Sequence, residues 1–328
     1  MPATTRAYLA LAAICIIWGT TYSAIKFAVR DFPPYLLVGI RQTTAGLLLL
    51  GLAFASGRLI LKSSPQRRSG KQGVSDDPEQ RSGVQANPLT KQYVFRQILT
   101  GFFTITGGNG FITWALQYVP TGVSAVIGSL TPVLVVLITM VWQGGERVNA
   151  RIIGGVLLGF VGLGIIFNDG WKYFADPIYA WGILGCFASC LSWSLGTVMA
   201  KRFNAPGVSP LLNAGLQITA GGLGGFILSA FWDPSHTIHH TTEGWMSMLY
   251  LILVGSALAF SLYMFVLQHL SAAVSSLYTY INPVVAILIG WLWLGESLTT
   301  WTALGMTVTI AGVWLVNEGS RSRNITPA

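Results

Sequence analysis

One stretch of this chain occurs twice, and that repeat limits the architecture more than any other feature. Moved forward 151 positions, Leu116–Gly162 lands on Leu267–Gly312. Leu116 and Gln117 meet Leu267 and Gln268, Val123 and Ser124 meet Val274 and Ser275, Pro132 meets Pro283, and Trp142 meets Trp293. One residue is then lost, and at a shift of 150 Glu146, Gly155 and Gly162 meet Glu296, Gly305 and Gly312. A period this long implies duplication of a whole multi-element unit, so the fold must consist of two similar halves.

The solvent for those halves follows from composition. The 328 residues are 52% hydrophobic and only 9% charged, against about 25% charged in soluble domains. One water-soluble core cannot hide so many apolar side chains. A membrane helix needs about 20 apolar residues, and runs of that length fall near 7–29, 35–56, 94–116, 120–142, 149–167, 178–200, 208–231, 246–268, 272–294 and 300–317. They are too long and too continuously apolar for barrel strands, which alternate over about 10 residues. The expectation is an all-α membrane protein of ten transmembrane helices. The first run is too long for a secretory h-region, and it carries Trp18, Tyr22 and Lys26 where a small-residue cleavage site would stand; it reads as a retained helix.

Charge sets orientation, because cytoplasmic loops collect Lys and Arg. With the N-terminus inside, fifteen of the nineteen basic residues fall in inner segments and three in outer ones, and Arg41 lies within a span. Both termini are therefore expected in the cytoplasm. The net charge of +8 is topology signal that calls for no nucleic-acid partner; the lipid bilayer is the partner expected. Cys15, Cys186 and Cys190 fall in spans and suggest packing rather than a disulfide framework or a metal site.

The repeat reaches beyond the opening stretch. Cys190, Trp193 and Lys201 lie 175 positions after Cys15, Trp18 and Lys26, and Pro210, Gln217 and Gly222 lie 176 after Pro34, Arg41 and Gly46. The offset shrinks later because the first half alone contains a polar loop, 57–93, which reads as a cytoplasmic linker. Each half thus holds five helices, 7–167 and 178–317. Five is odd, so the halves enter the membrane from opposite sides, the inverted-repeat arrangement of many carriers.

Trp18-Gly19, Lys26, Pro33-Pro34 and Arg41, with the duplicated Ser124…Pro132…Gly144–Glu146 and Ser275…Pro283…Gly295-Glu296 patterns, make the chain resemble the EamA family of the drug/metabolite transporter superfamily. The resemblance covers nearly everything outside the 57–93 loop and the tails. It implies an inner-membrane secondary transporter, a permease built as two five-helix repeats around a central cavity, exporting amino acids or related small metabolites or drugs. Ser194 replaces the glycine expected opposite Gly19, and Gln217 replaces the arginine.

Arg41 is the sharpest candidate for contact with substrate. A charge some seven residues inside a span is costly unless paired or wet. A guanidinium suits a carboxylated small molecule; the other reading is a side chain that snorkels or caps carbonyls. Polar stripes at helical spacing add Asn109 and Thr113 (with Thr106 and Gln117), Tyr263 (with Ser256), and Tyr278 and Asn282 (with Ser275). Such stripes line a wet interior or hydrogen-bond between helices. Trp18, Tyr22, Trp114 and Trp193 are candidates for the wall. Pro132 and Pro283 remove a backbone donor in mid-span and are candidate hinges or static kinks. Differences between the copies, Gly128 against Thr279 and Thr131 against Asn282, are candidate determinants of substrate choice.

All eleven acidic residues lie in loops, tails or span ends, so no intramembrane acid relay is expected. Transport is then either proton-coupled through an end-of-helix group such as Glu146 or Glu296, or driven by the substrate gradient. His236, His239 and His240 beside Asp233 match no metalloenzyme spacing, and no cofactor is called for. The competing classes are a non-transporting scaffold or sensor and, further off, an intramembrane enzyme.

Overall fold

The computed structural model describes residues 2–57, 89–143, 150–166, 177–205, 207–233, 237–270, 272–275, 278–297 and 299–321. Among these it is all helix, with no strand. Six helices, Ala3–Ala28, Pro34–Ala55, Thr121–Trp142, Pro177–Phe203, Pro210–Trp232 and Thr242–His269, are long and apolar enough to cross a membrane. The other expected runs are also helical, over Lys91–Ala115, Ala150–Ile166, Ala272–Ser275 with Tyr278–Leu294, and Thr300–Arg321.

In chain order the elements are α1 Ala3–Ala28, α2 Pro34–Ala55, α3 Lys91–Gly101, a π-helical segment Phe102–Asn109, α4 Gly110–Ala115, α5 Thr121–Gly128, α6 Thr131–Gln143 and α7 Ala150–Ile166. The second half gives α8 Pro177–Phe203, α9 Pro210–Trp232, α10 Thr242–Tyr250, a second π-helical segment Leu251–Leu258, α11 Ala259–His269, α12 Ala272–Ser275, α13 Tyr278–Leu294 and α14 Thr300–Arg321. Local chemistry sets several starts. Pro34 and Pro210 open α2 and α9, where the missing N–H removes no helical bond. Thr90 and Thr241 cap α3 and α10 through their side-chain oxygens.

Three runs expected as single helices are interrupted. The 94–116 and 246–268 runs pass through the two π segments. The 120–142 run breaks at Ser129 and Leu130. Pro132 therefore stands in the first turn of α6 and does not kink a continuous helix. It has no N–H to offer Gly128 O, and the Thr131 hydroxyl donates to that carbonyl instead at 2.7 Å. Pro283 does lie inside a helix, α13.

Helix pairing follows the repeat. α2 packs on α9 and α7 on α14; α1 lies against α11 and α13, while α8 lies against the first π segment, α4 and α6. Matched positions exchange partners between the halves. A Cβ on Gly46 would stand 2.6 Å from Thr219 N, and one on Gly222 would stand 2.5 Å from Thr43 N. Positions 43 and 46 correspond to 219 and 222 at the shift of 176. Likewise Gly162 abuts Thr309 and Gly312 abuts Gly159. Small residues let these backbones approach closely in the absence of a hydrophobic drive between helices.

Candidate functional site: a cavity lined by both halves

α1, α2, α8, α11, α13, both π segments and the α5–α6 break surround a cavity of about 760 Å³, including the space at its mouth. Its floor is aromatic. Trp18 and Trp193, matched across the repeat, meet edge to face at 5.4 Å. Tyr278 lies 4.6 Å from Trp18, and Phe260 packs at right angles to Trp193. Trp18 is fixed by donation from Nε1 to Gly255 O at 3.1 Å. In the other half, Ser189 Oγ donates to Gly108 O at 2.6 Å. Both carbonyls belong to π segments, whose wider turns accommodate a side-chain donor.

Arg41 lies in this wall, 3% exposed. Its Nε donates to Ser256 Oγ at 2.8 Å, and Nη1 has no partner. Among the described residues the one ion pair is Lys26–Glu296, so no described acid lies within 4 Å of Arg41. A desolvated guanidinium without a counter-charge is a strong anion site. Its neighbour Gln42 is 2% exposed, lines the same cavity and has an unpartnered Oε1.

Seven of the ten candidates come together here: Trp18, Tyr22, Arg41, Asn109, Trp193, Tyr278 and Asn282. Asn282, with its amide nitrogen turned toward carbonyls, donates to Tyr278 O at 3.1 Å and Cys15 O at 3.0 Å. The four residues named as candidate determinants of substrate choice, Gly128, Thr131, Thr279 and Asn282, all line the cavity. Three candidates fall outside the lining. Thr113 is fully buried, Trp114 packs against Tyr118, and Tyr263 pairs its hydroxyl with Thr197 at 2.6 Å, behind the aromatic floor. Thr106 donates to Gly221 O, so part of the third-span stripe joins helices to one another.

Gln42, Ser189 and Phe260 line the cavity without having been singled out from sequence. Gln42 carried a signal, as a second polar residue beside Arg41 inside a span. Cys186, Ser189, Cys190 and Trp193 form one helical stripe of α8, all of it in the lining.

The span-end groups act as anchors. Lys26 Nζ donates to Val119 O at 2.8 Å, and its repeat mate Lys201 donates to Leu270 O at 2.7 Å; 119 and 270 are themselves 151 apart. Glu296 accepts from Thr121 N at 3.0 and 3.1 Å and from Thr121 Oγ1 at 2.6 Å, and it sits 3.4 Å from Lys26. Glu146 and His236 lie outside the described residues. His239 N–H donates to Asp31 O, and His240 stacks on Trp245.

The model of the EamA-like transporter family matches residues 5–168 and 180–318. The chain belongs to the EamA-like transporter family. The two matched regions are the two halves seen in the repeat. Among EamA-like relatives, the inner membrane transporter YedA of Escherichia coli (strain K12) is 30% identical over 302 residues, 91% of this chain and 87% of its own length. The transporter YvbV of Bacillus subtilis (strain 168) is 27% identical over 97% of this chain and 94% of its own. A crystal structure at 19% identity shares the fold, with a TM-score of 0.64 over 98% of this chain and 99% of the other. Membership and the apolar helices together make this EamA-like chain a multi-pass membrane transporter.

Proposed function

We propose that this EamA-like protein is a ten-helix secondary carrier of the inner membrane, with both termini in the cytoplasm. Two inverted five-helix halves, 7–167 and 178–317, alternate access to the shared cavity and export small metabolites that carry an anionic group. Amino acids and related metabolites share the carboxylate this requires.

The observation that carries the reading is Arg41, a buried cation with an unpartnered nitrogen in the wall of a cavity built from both halves. Support for the inverted arrangement comes from the exchanged contacts of Gly46 with Thr219 and Gly222 with Thr43; partner exchange of this kind is what a two-fold relation produces. Halves so related can adopt each other's conformation, which exposes one site to either side in turn. The inner-membrane location is carried over from YedA by likeness.

The test is flux of labelled carboxylates into vesicles reconstituted with the purified protein, against protein-free vesicles. The wild type carries at least one carboxylate. Arg41→Lys keeps the size-exclusion profile and loses about ten- to a hundredfold in transport, because the two-pronged contact with a carboxylate is gone. Normal transport by Arg41→Lys contradicts the anion clamp, and no flux of any carboxylate favours a scaffold. Repeating the assay with an imposed pH gradient separates proton coupling from gradient-driven exchange.

A further inference from the structure

The charge inventory of the cavity narrows the substrate class further. Among the described residues, Arg41 is the one charged side chain in its lining. The described acids are placed elsewhere. Asp31 holds Thr241, and Asp233 caps the start of α2 through Tyr35 N and Leu36 N at 3.2 and 2.9 Å. Glu296 is occupied by Thr121 and Lys26. Arg41 with one bound carboxylate is neutral, whereas Arg41 with a zwitterion leaves one net positive charge out of water.

A buried ammonium needs a carboxylate or several free carbonyl acceptors. The carbonyls of three lining glycines already accept: Gly108 O from Ser189, Gly128 O from Thr131 and Gly255 O from Trp18. The aromatic faces of Trp18 and Trp193 attract a cation, but cation–π attraction returns less than removal of an ammonium from water costs. Gln42 leaves one free acceptor, Oε1, beside Arg41, too few for the three N–H groups of an ammonium and suited to a hydroxyl next to a carboxylate.

We infer that the cavity selects organic monoanions without an ammonium group, carboxylates with an aromatic or apolar body and at most a neutral hydroxyl substituent, over amino acids of the same skeleton. This rests on the reading of Arg41 as an anion clamp. Free amines are excluded outright, since they bring a like charge to Arg41.

The experiment measures dissociation constants at neutral pH for four probes of one skeleton: 3-phenylpropionate, phenyllactate, phenylalanine and phenethylamine. The purified full-length protein in detergent is used. Phenylpropionate and phenyllactate bind about tenfold or more tighter than phenylalanine, and phenethylamine does not bind. Arg41→Gln removes binding of both anions. Gln42→Glu, which breaks no existing hydrogen bond and supplies a carboxylate, weakens both anions and shifts the ratio toward phenylalanine. Phenylalanine binding as tightly as phenyllactate, with both lost in Arg41→Gln, overturns the selectivity and leaves the clamp standing. Anion binding that survives Arg41→Gln, or no binding of any probe, overturns the clamp and the selectivity together.

Discussion

At the scale of single residues, close approach at glycine does the structural work and uncompensated charge marks the proposed site. Gly222 faces Thr43 N at a distance no real Cβ tolerates, whereas Gly51 on α2 has nothing within 4 Å. Gly222→Leu must push α2 and α9 apart, and it destabilises the fold by at least about 1–3 kcal/mol. Gly51→Leu stays within about 0.5 kcal/mol. Unfolding midpoints in detergent check both, and equal midpoints contradict the packing. From the sequence, a glycine such as Gly222 records at most that something comes near, and not that Thr43 is what it meets. Arg41 was legible as a charge inside a span. That Asn109 lines the cavity while Thr106 bonds a neighbouring helix was not, since both belong to one stripe. The difference depends on the turn of the helix, which the π segment resets.

At the scale of elements, the two π segments are the feature that sequence periodicity could not reveal. They begin at Phe102 and Leu251, 149 positions apart and close to the repeat offset, and each contributes residues to the cavity wall. A change in hydrogen-bond register leaves the composition of a helix untouched, so an apolar run reads the same either way. The end of α13 shows the opposite case, where residue chemistry predicts the contact. Gly295 takes a left-handed conformation (φ 67°), and Glu296 N–H returns to Gly290 O at 3.1 Å. The turn brings the Glu296 carboxylate onto the first residue of α5, where the helix dipole favours it. Glu296 is 16% exposed on its side chain, and loss of its charge weakens three bonds from Thr121 and the pair with Lys26. Glu296→Gln lowers stability by about 1–2 kcal/mol, seen as a lower unfolding midpoint; an unchanged midpoint means the carboxylate is not an anchor.

At the scale of the whole molecule, the repeat is the link between sequence and proposed function. Trp18 and Trp193 were paired as letters 175 apart, and they are paired again as rings in contact at the cavity floor. Lys26 and Lys201 were paired as letters, and each holds the carbonyl at the matched position of its own half, Val119 O and Leu270 O. Where the halves differ, at Arg41 against Gln217, the cavity becomes asymmetric. Arg41 lines it; Gln217 instead donates to Gln97 Oε1 at 2.6 Å, away from the lining. Under the proposed function, a two-fold scaffold with a one-sided charge gives two interchangeable conformations around a single anion site. Counterflow tests that combination most directly. Vesicles holding the purified carrier are preloaded with unlabelled phenyllactate and given a trace of labelled phenyllactate outside. The wild type accumulates label transiently above the equilibrium level, and Arg41→Gln does not. Wild-type uptake that climbs only to equilibrium, regardless of what the vesicles contain, contradicts alternating access at Arg41.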